Sequence, residues 1–460
     1  MNMLRMTCFG LILGFLIMQQ SENVYAANRT KAISLNSKIA PSSISKAIAP
    51  KSSWPFSTGG IVLGPAVVGD LDGNGLPEIV FGSNGAPGVP SLFMLNAYGQ
   101  QVWNFPNGWG YLYHSPTLSD LDRNGKIEIL FGDDYGKLFC LNYDHSSCWS
   151  SPYFQADNRI IDAPMAVDLD QDKIKEIIFS TTTSLYCLNA NGSVLWRQPL
   201  IEGTGRTSAS ILDIDYDGFA DIVMRINSQI VCLNHRGEKK WTFDLQDNIS
   251  RSGAPVVADL EQDGLMEVIF TGGLSGQPYI FCLDNEGKEK WRYAVGMGVP
   301  FAVAVGDLDH DGYLEVVSSG DKVYFLRFDG SEYRSPVNIP NLNSTMMPVI
   351  GDIDRDGELE IIITNSTVHC LDHLGNVRWE TPWVHNMITS SPVIADLNGN
   401  GTLEMLYGSY DNYGLFRINC LDYTGQTCRY NSVTPQSERY LWPISQHDIQ
   451  HTSNYNLRQR

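Results

Sequence analysis

Residues 307–315 read Asp-Leu-Asp-His-Asp-Gly-Tyr-Leu-Glu, with acidic side chains at positions one, three, five and nine and a glycine at position six. The pattern recurs along the 460-residue chain. Its eight copies begin at Asp70, Asp120, Asp168, Asp213, Asp259, Asp307, Asp352 and Asp396. The 326 residues from 70 to 396 contain seven intervals, which gives a period of about 47. This regularity predicts one array of repeats, although the length alone would suggest about three domains.

Each repeat is predicted to contain four short strands. A small, apolar strand precedes the acidic loop, as in residues 254–258, and a β-branched strand follows it, as in residues 360–364. A third strand ends in a turn such as residues 189–192, and a fourth begins near a tryptophan such as Trp196. Four strands in about 40–50 residues are typical of a propeller blade. We therefore predict an all-β fold, an eight-bladed β-propeller of four-stranded antiparallel blades with ion-binding hairpin loops, over residues 54–433.

The second half of the repeat predicts how the blades pack together. Six tryptophans lie nine residues after equivalent third-strand positions: Trp103, Trp149, Trp196, Trp241, Trp291 and Trp379. Blades six and eight carry Arg334 and Arg429 there instead. We expect the indole rings to fill the seams between blades, because aromatic side chains bury a large apolar area. Ligand binding by one or two of these rings is the alternative.

The acidic loop has the composition of an ion site. Alternate positions one, three and five aim oxygen atoms at one point, glycine at six permits a sharp turn, and the acid at nine closes the cage. Hard oxygen ligands in this number favour Ca²⁺ over zinc or a soft metal. An EF-hand fits poorly, because its closing acid falls at position twelve and helices flank it. Solvated Asp-Gly turns without an ion are the alternative, but they do not explain acids at all four positions.

The predicted ligands occupy positions one, three, five and nine of each loop. In chain order they are Asp70, Asp72, Asn74, Glu78, Asp120, Asp122, Asn124, Glu128, Asp168, Asp170, Asp172, Glu176, Asp213, Asp215, Asp217, Asp221, Asp259, Glu261, Asp263, Glu267, Asp307, Asp309, Asp311, Glu315, Asp352, Asp354, Asp356, Glu360, Asp396, Asn398, Asn400 and Glu404. The loops that begin at Asp213, Asp307 and Asp352 match the pattern best. The third loop is doubtful because Lys173 replaces the glycine, and the eighth because only two carboxylates remain.

The motifs resemble those of a known family. Residues 306–312, preceded by Ala-Val-Ala-Val at 302–305, resemble FG-GAP/VCBS repeats, the calcium-loop blades of integrin-α-like propellers and many secreted bacterial proteins. The Leu-x-x-x-Gly-x-x-x-Trp pattern of residues 283–291 is similar to the blades of eight-bladed quinoprotein-like propellers. The resemblance covers about residues 54–430 and implies the fold and the calcium loops. It selects no function, since such blades serve adhesion, lectin, lyase and scaffold roles.

The charge of the chain agrees with an ion-binding role. The sequence has 51 acids and 32 bases, a net charge of −19, which argues against a nucleic-acid binder. The eight loops hold 28 of those acids at positions one, three, five and nine. If every loop bound Ca²⁺, sixteen positive charges would bring −19 to −3.

The two ends of the chain differ from the repeat. Residues 1–26 have a short positive start, an eleven-residue apolar run at 8–18 and small residues near Ala26, which predicts a secretory signal peptide. An uncleaved anchor is the alternative. Residues 27–53 are predicted to be a flexible Ser/Lys-rich linker, and residues 434–460 a C-terminal tail. We expect a secreted protein, extracellular or periplasmic, that is monomeric and has no membrane span.

An oxidising compartment permits disulfides among the eight remaining cysteines. Two pairs share a spacing of eight residues, which suits a bridge across a β-hairpin: Cys140 with Cys148, and Cys420 with Cys428. The equivalent third-strand cysteines of other repeats have no partner at that spacing. We expect those four, Cys187, Cys232, Cys282 and Cys370, to be buried thiols.

No enzyme signature is found in the sequence, and no catalytic residue is predicted. His447 and His451 could contribute to a metal site, but a tail that packs across the propeller is the preferred interpretation. We expect a binding or adhesion module for a glycan or a surface protein. A carbohydrate-active enzyme such as a rhamnogalacturonan-type lyase is the alternative. Residues 105–114 and 379–385 are aromatic-rich candidates for the contact surface, with packing between blades as the other explanation.

Overall fold

A computed structural model describes residues 53–85, 91–106, 111–200, 209–245, 253–296, 302–340, 342, 346–382, 385–411 and 415–428. The signal peptide, the C-terminal tail with its histidines, and nearly all of the linker predicted from the sequence lie outside these ranges. Every regular element in the described residues is a β-strand. No helix in this part of the chain is long and apolar enough to cross a membrane.

The first four blades follow one another along the chain, and each is an antiparallel sheet whose strands pair in sequence order. Two short strands, β2 and β5, pair separately beside blade one. The strands of this half are β1 (Phe56–Ser57), β2 (Gly60–Ile61), β3 (Val67–Gly69), β4 (Glu78–Gly82), β5 (Asn84–Gly85), β6 (Leu92–Asn96), β7 (Gln101–Phe105), β8 (Thr117–Ser119), β9 (Glu128–Gly132), β10 (Lys137–Leu141), β11 (Phe154–Gln155), β12 (Met165–Val167), β13 (Glu176–Ser180), β14 (Ser184–Leu188), β15 (Val194–Pro199), β16 (Ser210–Leu212), β17 (Asp221–Ile226), β18 (Gln229–Leu233) and β19 (Lys239–Asp244).

Blades five to seven repeat this plan, and blade eight contains an additional strand, β32, beside β34. The strands of this half are β20 (Val256–Ala258), β21 (Glu267–Leu274), β22 (Gln277–Leu283), β23 (Glu289–Ala294), β24 (Val303–Gly306), β25 (Glu315–Ser319), β26 (Val323–Leu326), β27 (Glu332–Val337), β28 (Val349–Gly351), β29 (Glu360–Thr364), β30 (Val368–Leu371), β31 (Val377–Glu380), β32 (His385–Ile388), β33 (Val393–Ala395), β34 (Glu404–Asp411) and β35 (Phe416–Leu421). The predicted eight-bladed propeller of four-stranded antiparallel blades is confirmed.

The ring is closed by the beginning of the described chain. The outermost strand of blade eight is β1, whose Phe56 pairs with Ile418 and whose Ser57 pairs with Arg417 on β35. Trp54, just before β1, packs against Gly99 of blade one. Residues about 360 apart in sequence therefore share one sheet, which no local pattern in the sequence had indicated.

The apolar core lies within and between the blades. The second and third strands are almost wholly buried, and in four blades they stack an aromatic pair, such as Phe131 on Phe139 at 4.8 Å. The first strands of neighbouring blades contact one another and form the inner ring. Because all blades share one strand order, every connection from first to second strand opens on the same face of the ring.

The tryptophans occupy the seams, as the sequence predicts. All six indole N–H groups donate to a backbone carbonyl of the next blade, at 2.7–3.0 Å. In five of these seams the ring also lies against a turn glycine, as Trp241 does against Gly287. In blade six Arg334 occupies the equivalent place, above the Phe325 ring and close to Gly375. Arg429 lies outside the described residues.

The cysteine predictions are confirmed except for one pair. Cys420 and Cys428 form a disulfide, whereas Cys140 and Cys148 are thiols, so the predicted bridge between them is wrong in this structure. The backbone hydrogen bond is the same in both hairpins, from Cys148 N to Cys140 O at 3.0 Å and from Cys428 N to Cys420 O at 3.1 Å. The difference between the two hairpins therefore lies in the sulfur atoms and not in the backbone. The four remaining cysteines are buried thiols: Cys187, Cys232, Cys282 and Cys370.

Candidate metal centre

The eight acidic loops join the first strand of each blade to the second and share one backbone conformation. Positions four and six have positive φ in every copy, between 56° and 95°. Glycine holds position six in seven loops, and Lys173 adopts the same conformation at φ 78° in the third. The position-six N–H donates to the position-one carboxylate at 2.8–3.2 Å throughout. The lysine therefore preserves the turn of the third loop.

The closing acid at position nine is the most buried ligand of each loop. It begins the second strand, is 5% exposed or less, and accepts a hydrogen bond from the position-two N–H at 2.8–3.3 Å. Burial, aided by nearby carboxylates, raises its pKa to about 7 in Glu78 and to about 8 in Glu315. A buried carboxylate among other carboxylates is stable in its ionised form only when a nearby positive charge compensates it.

Three acids converge in several of these loops. Ligand oxygens from positions one, three and nine lie within 4.8 Å of one another in loops one to four, and from positions one, three and five in loop six. These groups include Asp70/Asp72/Glu78, Asp120/Asp122/Glu128, Asp168/Asp170/Glu176, Asp213/Asp215/Asp221 and Asp307/Asp309/Asp311. The predicted convergence of positions one, three and five is seen in loop six, whereas in loops one to four the group consists of positions one, three and the closing acid at nine.

In three of these loops the position-one carboxylate has an oxygen ready for a ligand. Oδ1 of Asp70, Asp120 and Asp307 is buried and accepts no hydrogen bond within the described residues. In the same loops the position-five N–H donates to the position-three carboxylate, at 2.9–3.3 Å. The third loop has that same bond, from Asp172 N to Asp170 at 3.2 Å. A buried anionic oxygen without a donor is suited to a cation.

Basic side chains enter the loops of blades four, five and seven. Lys240 Nζ lies 2.5 Å from Asp215 and 2.9 Å from Asp221. Lys290 Nζ lies 2.5 Å from Glu261 and 2.9 Å from Glu267. Each lysine pairs with positions three and nine of its own blade, two of the predicted metal ligands.

Arg378 repeats this arrangement in blade seven. One guanidinium nitrogen lies 2.7 Å from Asp354, and another bonds to Glu360, which is buried. Position one is also satisfied in these three loops, because Oδ1 of Asp213, Asp259 and Asp352 accepts the position-five N–H at 3.0–3.1 Å. The residues of these loops do not fit a metal ion in this arrangement.

The eighth loop is satisfied by amide and backbone groups. Asn398 donates to Glu404 at 2.6 Å, and Oδ1 of Asp396 accepts the N–H groups of Gly399 and Asn400 at 2.7 and 3.1 Å. With two carboxylates and these donors, it is a poor cation site, as the sequence indicates.

Sequence reasoning missed the basic residues as functional groups. Lys240, Lys290 and Arg378 each stand immediately before a seam residue, eight positions after the equivalent third-strand cysteine. From the sequence, that position indicates only a second cysteine, in blades two and eight. A basic residue in phase with an acidic loop was the available signal.

The predicted aromatic contact segments lie only partly in the described residues. Phe105 packs edge-to-face on Phe131 and Phe139 at 5.6 and 5.5 Å, inside the core. Trp379 lies in a seam against Gly425. For these two residues, packing between blades is the correct explanation.

Comparisons with known proteins agree on the fold. The model of the FG-GAP-like repeat matches residues 259–318, from loop five to the second strand of blade six. The sequence matches no protein with a curated description. The structure is similar to Saccharomyces cerevisiae Sqt1, with 12% identity, a TM-score of 0.58, and coverage of 81% of this chain and 99% of that one.

Two further solved propellers align over most of this chain. The Dos1 propeller gives a TM-score of 0.54 at 10% identity and covers 82% of this chain and 97% of its own. The quinohemoprotein alcohol dehydrogenase from Comamonas testosteroni gives 0.52 at 11% identity, with 85% and 78% coverage. Identities this low show a shared propeller fold and nothing about activity.

Proposed function

We propose that this protein is a secreted, calcium-stabilised propeller that acts as a binding module for a glycan or a surface protein. The observation that supports the calcium site is the buried position-one oxygen of Asp70, Asp120 and Asp307, which lacks a hydrogen-bond donor and stands among convergent acids. Carboxylate oxygens on a tight, glycine-containing turn are ligands that Ca²⁺ prefers.

Secretion is supported by two independent features. The N-terminal sequence has the charge, length and small residues of a secretory leader. The Cys420–Cys428 disulfide is of a kind that persists in oxidising compartments. Extracellular calcium is abundant enough for modules with dissociation constants of roughly 10⁻⁴–10⁻³ M.

The loop-bearing face offers an apolar contact surface. Position seven carries an exposed apolar side chain in four consecutive blades: Ile174, Phe219, Leu265 and Tyr313, which are 36–49% exposed. Phe219 stacks on His235 at 4.4 Å and Tyr313 on Phe328 at 4.5 Å, which holds both rings in place. Exposed apolar groups arranged together on one face are typical of interaction surfaces.

Calcium removal tests the first part of the proposal. We expect EDTA to lower the melting temperature and added Ca²⁺ to restore it, because each filled site stabilises the folded chain by about 1.4 kcal/mol at ten times its dissociation constant. Circular dichroism melts in EDTA, Ca²⁺ and Mg²⁺ provide the measurement. A melting temperature that is unchanged by the chelator would contradict the structural calcium.

A glycan array followed by a surface-protein pull-down tests the second part. We expect the double variant Phe219→Ser/Tyr313→Ser to lose partner binding. Tyr135→Ser is the matched control, because Tyr135 is 55% exposed in the turn between the second and third strands, on the opposite face. If the best glycan were instead cleaved with new unsaturated ends, the protein would be a lyase.

A further inference from the structure

We infer that three of the eight acidic loops, those of blades four, five and seven, are closed by a cation of the chain itself and do not take Ca²⁺. This inference rests on the proposed calcium role of the other loops. In the loops of blades four, five and seven, Lys240, Lys290 and Arg378 neutralise the carboxylates that we propose Ca²⁺ neutralises in the other loops.

The three basic residues share one position in the blade. Each is the extra residue of a β-bulge between the third and fourth strands. In blade four Cys232 pairs with Trp241 and Leu233 pairs with Lys239, which leaves Lys240 unpaired between them. The same shift isolates Lys290 in blade five and Arg378 in blade seven. A bulge redirects the side chain of its extra residue, and here that side chain meets the acidic loop of its own blade.

The bulge residue is not basic in the other blades. It is Val102, Leu195 and Tyr333 in blades one, three and six, where the same register shift occurs. Cys148 and Cys428 stand at the same offset in blades two and eight. In blades one, two and six, Oδ1 of the position-one aspartate is buried and accepts no hydrogen bond within the described residues. None of these three blades has a basic bulge residue.

A second contact separates the same two groups of loops. Where a basic residue enters, the position-five N–H donates to Oδ1 of position one, and in blade seven it also donates to Oδ1 of Asp354 at 3.3 Å. In loops one, two, three and six it donates to position three instead. Backbone and side chain thus agree: the first arrangement satisfies the position-one acid internally, and the second accompanies the buried Oδ1 of Asp70, Asp120 and Asp307 that accepts no hydrogen bond within the described residues.

Charge and position make the two occupants mutually exclusive. The ammonium of Lys240 lies between Asp215 and Asp221, where a metal that used positions three and nine would lie. A divalent ion placed there would repel the ammonium at contact distance. We therefore assign calcium to the loops of blades one, two, three and six. Two of the three loops that match the sequence pattern best, those that begin at Asp213 and Asp352, are thereby excluded as calcium sites.

Removal of the lysine tests the inference. We expect Lys240→Met to bind one more Ca²⁺ per chain than the wild type and to become more dependent on Ca²⁺ for its melting temperature. Lys239→Met is the matched control. Lys239 is the exposed neighbour of Lys240 on the same strand, and its substitution removes the same charge. Equilibrium dialysis at about ten times the expected dissociation constant, with elemental analysis of calcium, gives the count.

Substitution of a bulge residue by lysine tests the inference in the opposite direction. Val102 is 41% exposed at the bulge of blade one, so Val102→Lys does not disturb the core. We expect this variant to bind one Ca²⁺ fewer than the wild type. The matched control is Gln101→Lys, at the exposed residue next to Val102, which should keep the wild-type count.

The outcomes separate this inference from the proposed function. A wild-type count of one to five Ca²⁺ ions, with the gain and the loss described, supports both. Six or more ions on the wild type, no gain in a folded Lys240→Met, or no loss in Val102→Lys overturns this inference alone. No calcium on any of the proteins overturns the proposed function as well. If Lys240→Met does not fold, the wild-type count and Val102→Lys decide.

Discussion

Single side chains outside the loops also hold blades together, and Asp157 is the clearest case. It lies between β11 of blade two and β12 of blade three. Thr181, Thr183 and Ser184 donate their hydroxyl groups to its carboxylate at 2.6–2.9 Å, and Arg197 forms an ion pair with it. Burial alone would raise the pKa of Asp157, but these donors outweigh it and lower the pKa to about 2. The carboxylate therefore joins two blades while it is ionised.

We expect Asp157→Asn to destabilise the protein at pH 7 by about 2 kcal/mol, since hydrogen bonds to a charged group contribute about 1.5–3 kcal/mol. A folded pKa below the unfolded value gives stability that is present above pH 4 and lost as pH falls toward 2. Urea unfolding at pH 7 and at pH 3 should show the difference shrink at the lower pH. Asp134→Asn, whose amide can still accept the Tyr111 N–H, is the control. A pH-independent difference would contradict this role.

At the scale of elements, the seam between blades depends on a glycine as much as on a tryptophan. Gly287 has φ 80°, and a Cβ there would lie 2.6 Å from the Trp241 ring. The turn of blade five and the outer strand of blade four can therefore pack together only when residue 287 has no side chain. The glycine that stands four residues before most of these tryptophans, such as Gly287 before Trp291, packs in the seam with the preceding blade; in blade two His145 stands at that position.

We expect Gly287→Ala to lower the free energy of unfolding by about 1–3 kcal/mol more than Gly276→Ala, because only the first overpacks a seam. Gly276 is the matched control in the same blade: its φ is 79°, and no atom lies within 4 Å of an added Cβ. Urea unfolding of the two variants measures the difference. Equal losses would mean that backbone conformation alone requires Gly287.

The whole molecule depends on one non-local closure and on a charge balance. Trp54 fills the seam between blades eight and one against Gly99. Of the other seven seams, six use a tryptophan that follows the third strand of the preceding blade, and the seam after blade six uses Arg334. The internal cations also change the charge expected from the sequence. If Ca²⁺ filled the four loops to which we assign it, eight positive charges would bring −19 to −11. The proposal therefore predicts a filled protein that stays acidic rather than nearly neutral.

We expect Trp54→Ala to destabilise the protein by about 3–5 kcal/mol, the usual range for a buried tryptophan. It should also make the start of β1 sensitive to proteolysis, because the closing strand is released. Trp103→Ala is the comparison: Trp103 fills a seam between two blades that are consecutive in the chain. Limited proteolysis and urea unfolding give both readouts. If both variants lose the same stability and neither is cleaved near residue 56, Trp54 has no special role in closure.

The sequence by itself determined the number of blades, their strand order and the acidic loops, because each depends on residues within about 50 positions of one another. A nine-residue loop such as 307–315 carries its turn glycine and all its acids locally. The tertiary structure decided which acidic loops contain a basic side chain, because Lys240 reaches Asp215 from 25 residues away only through the bulge. It also decided the closure by Trp54, since that contact exists only once eight twisted blades have completed the ring.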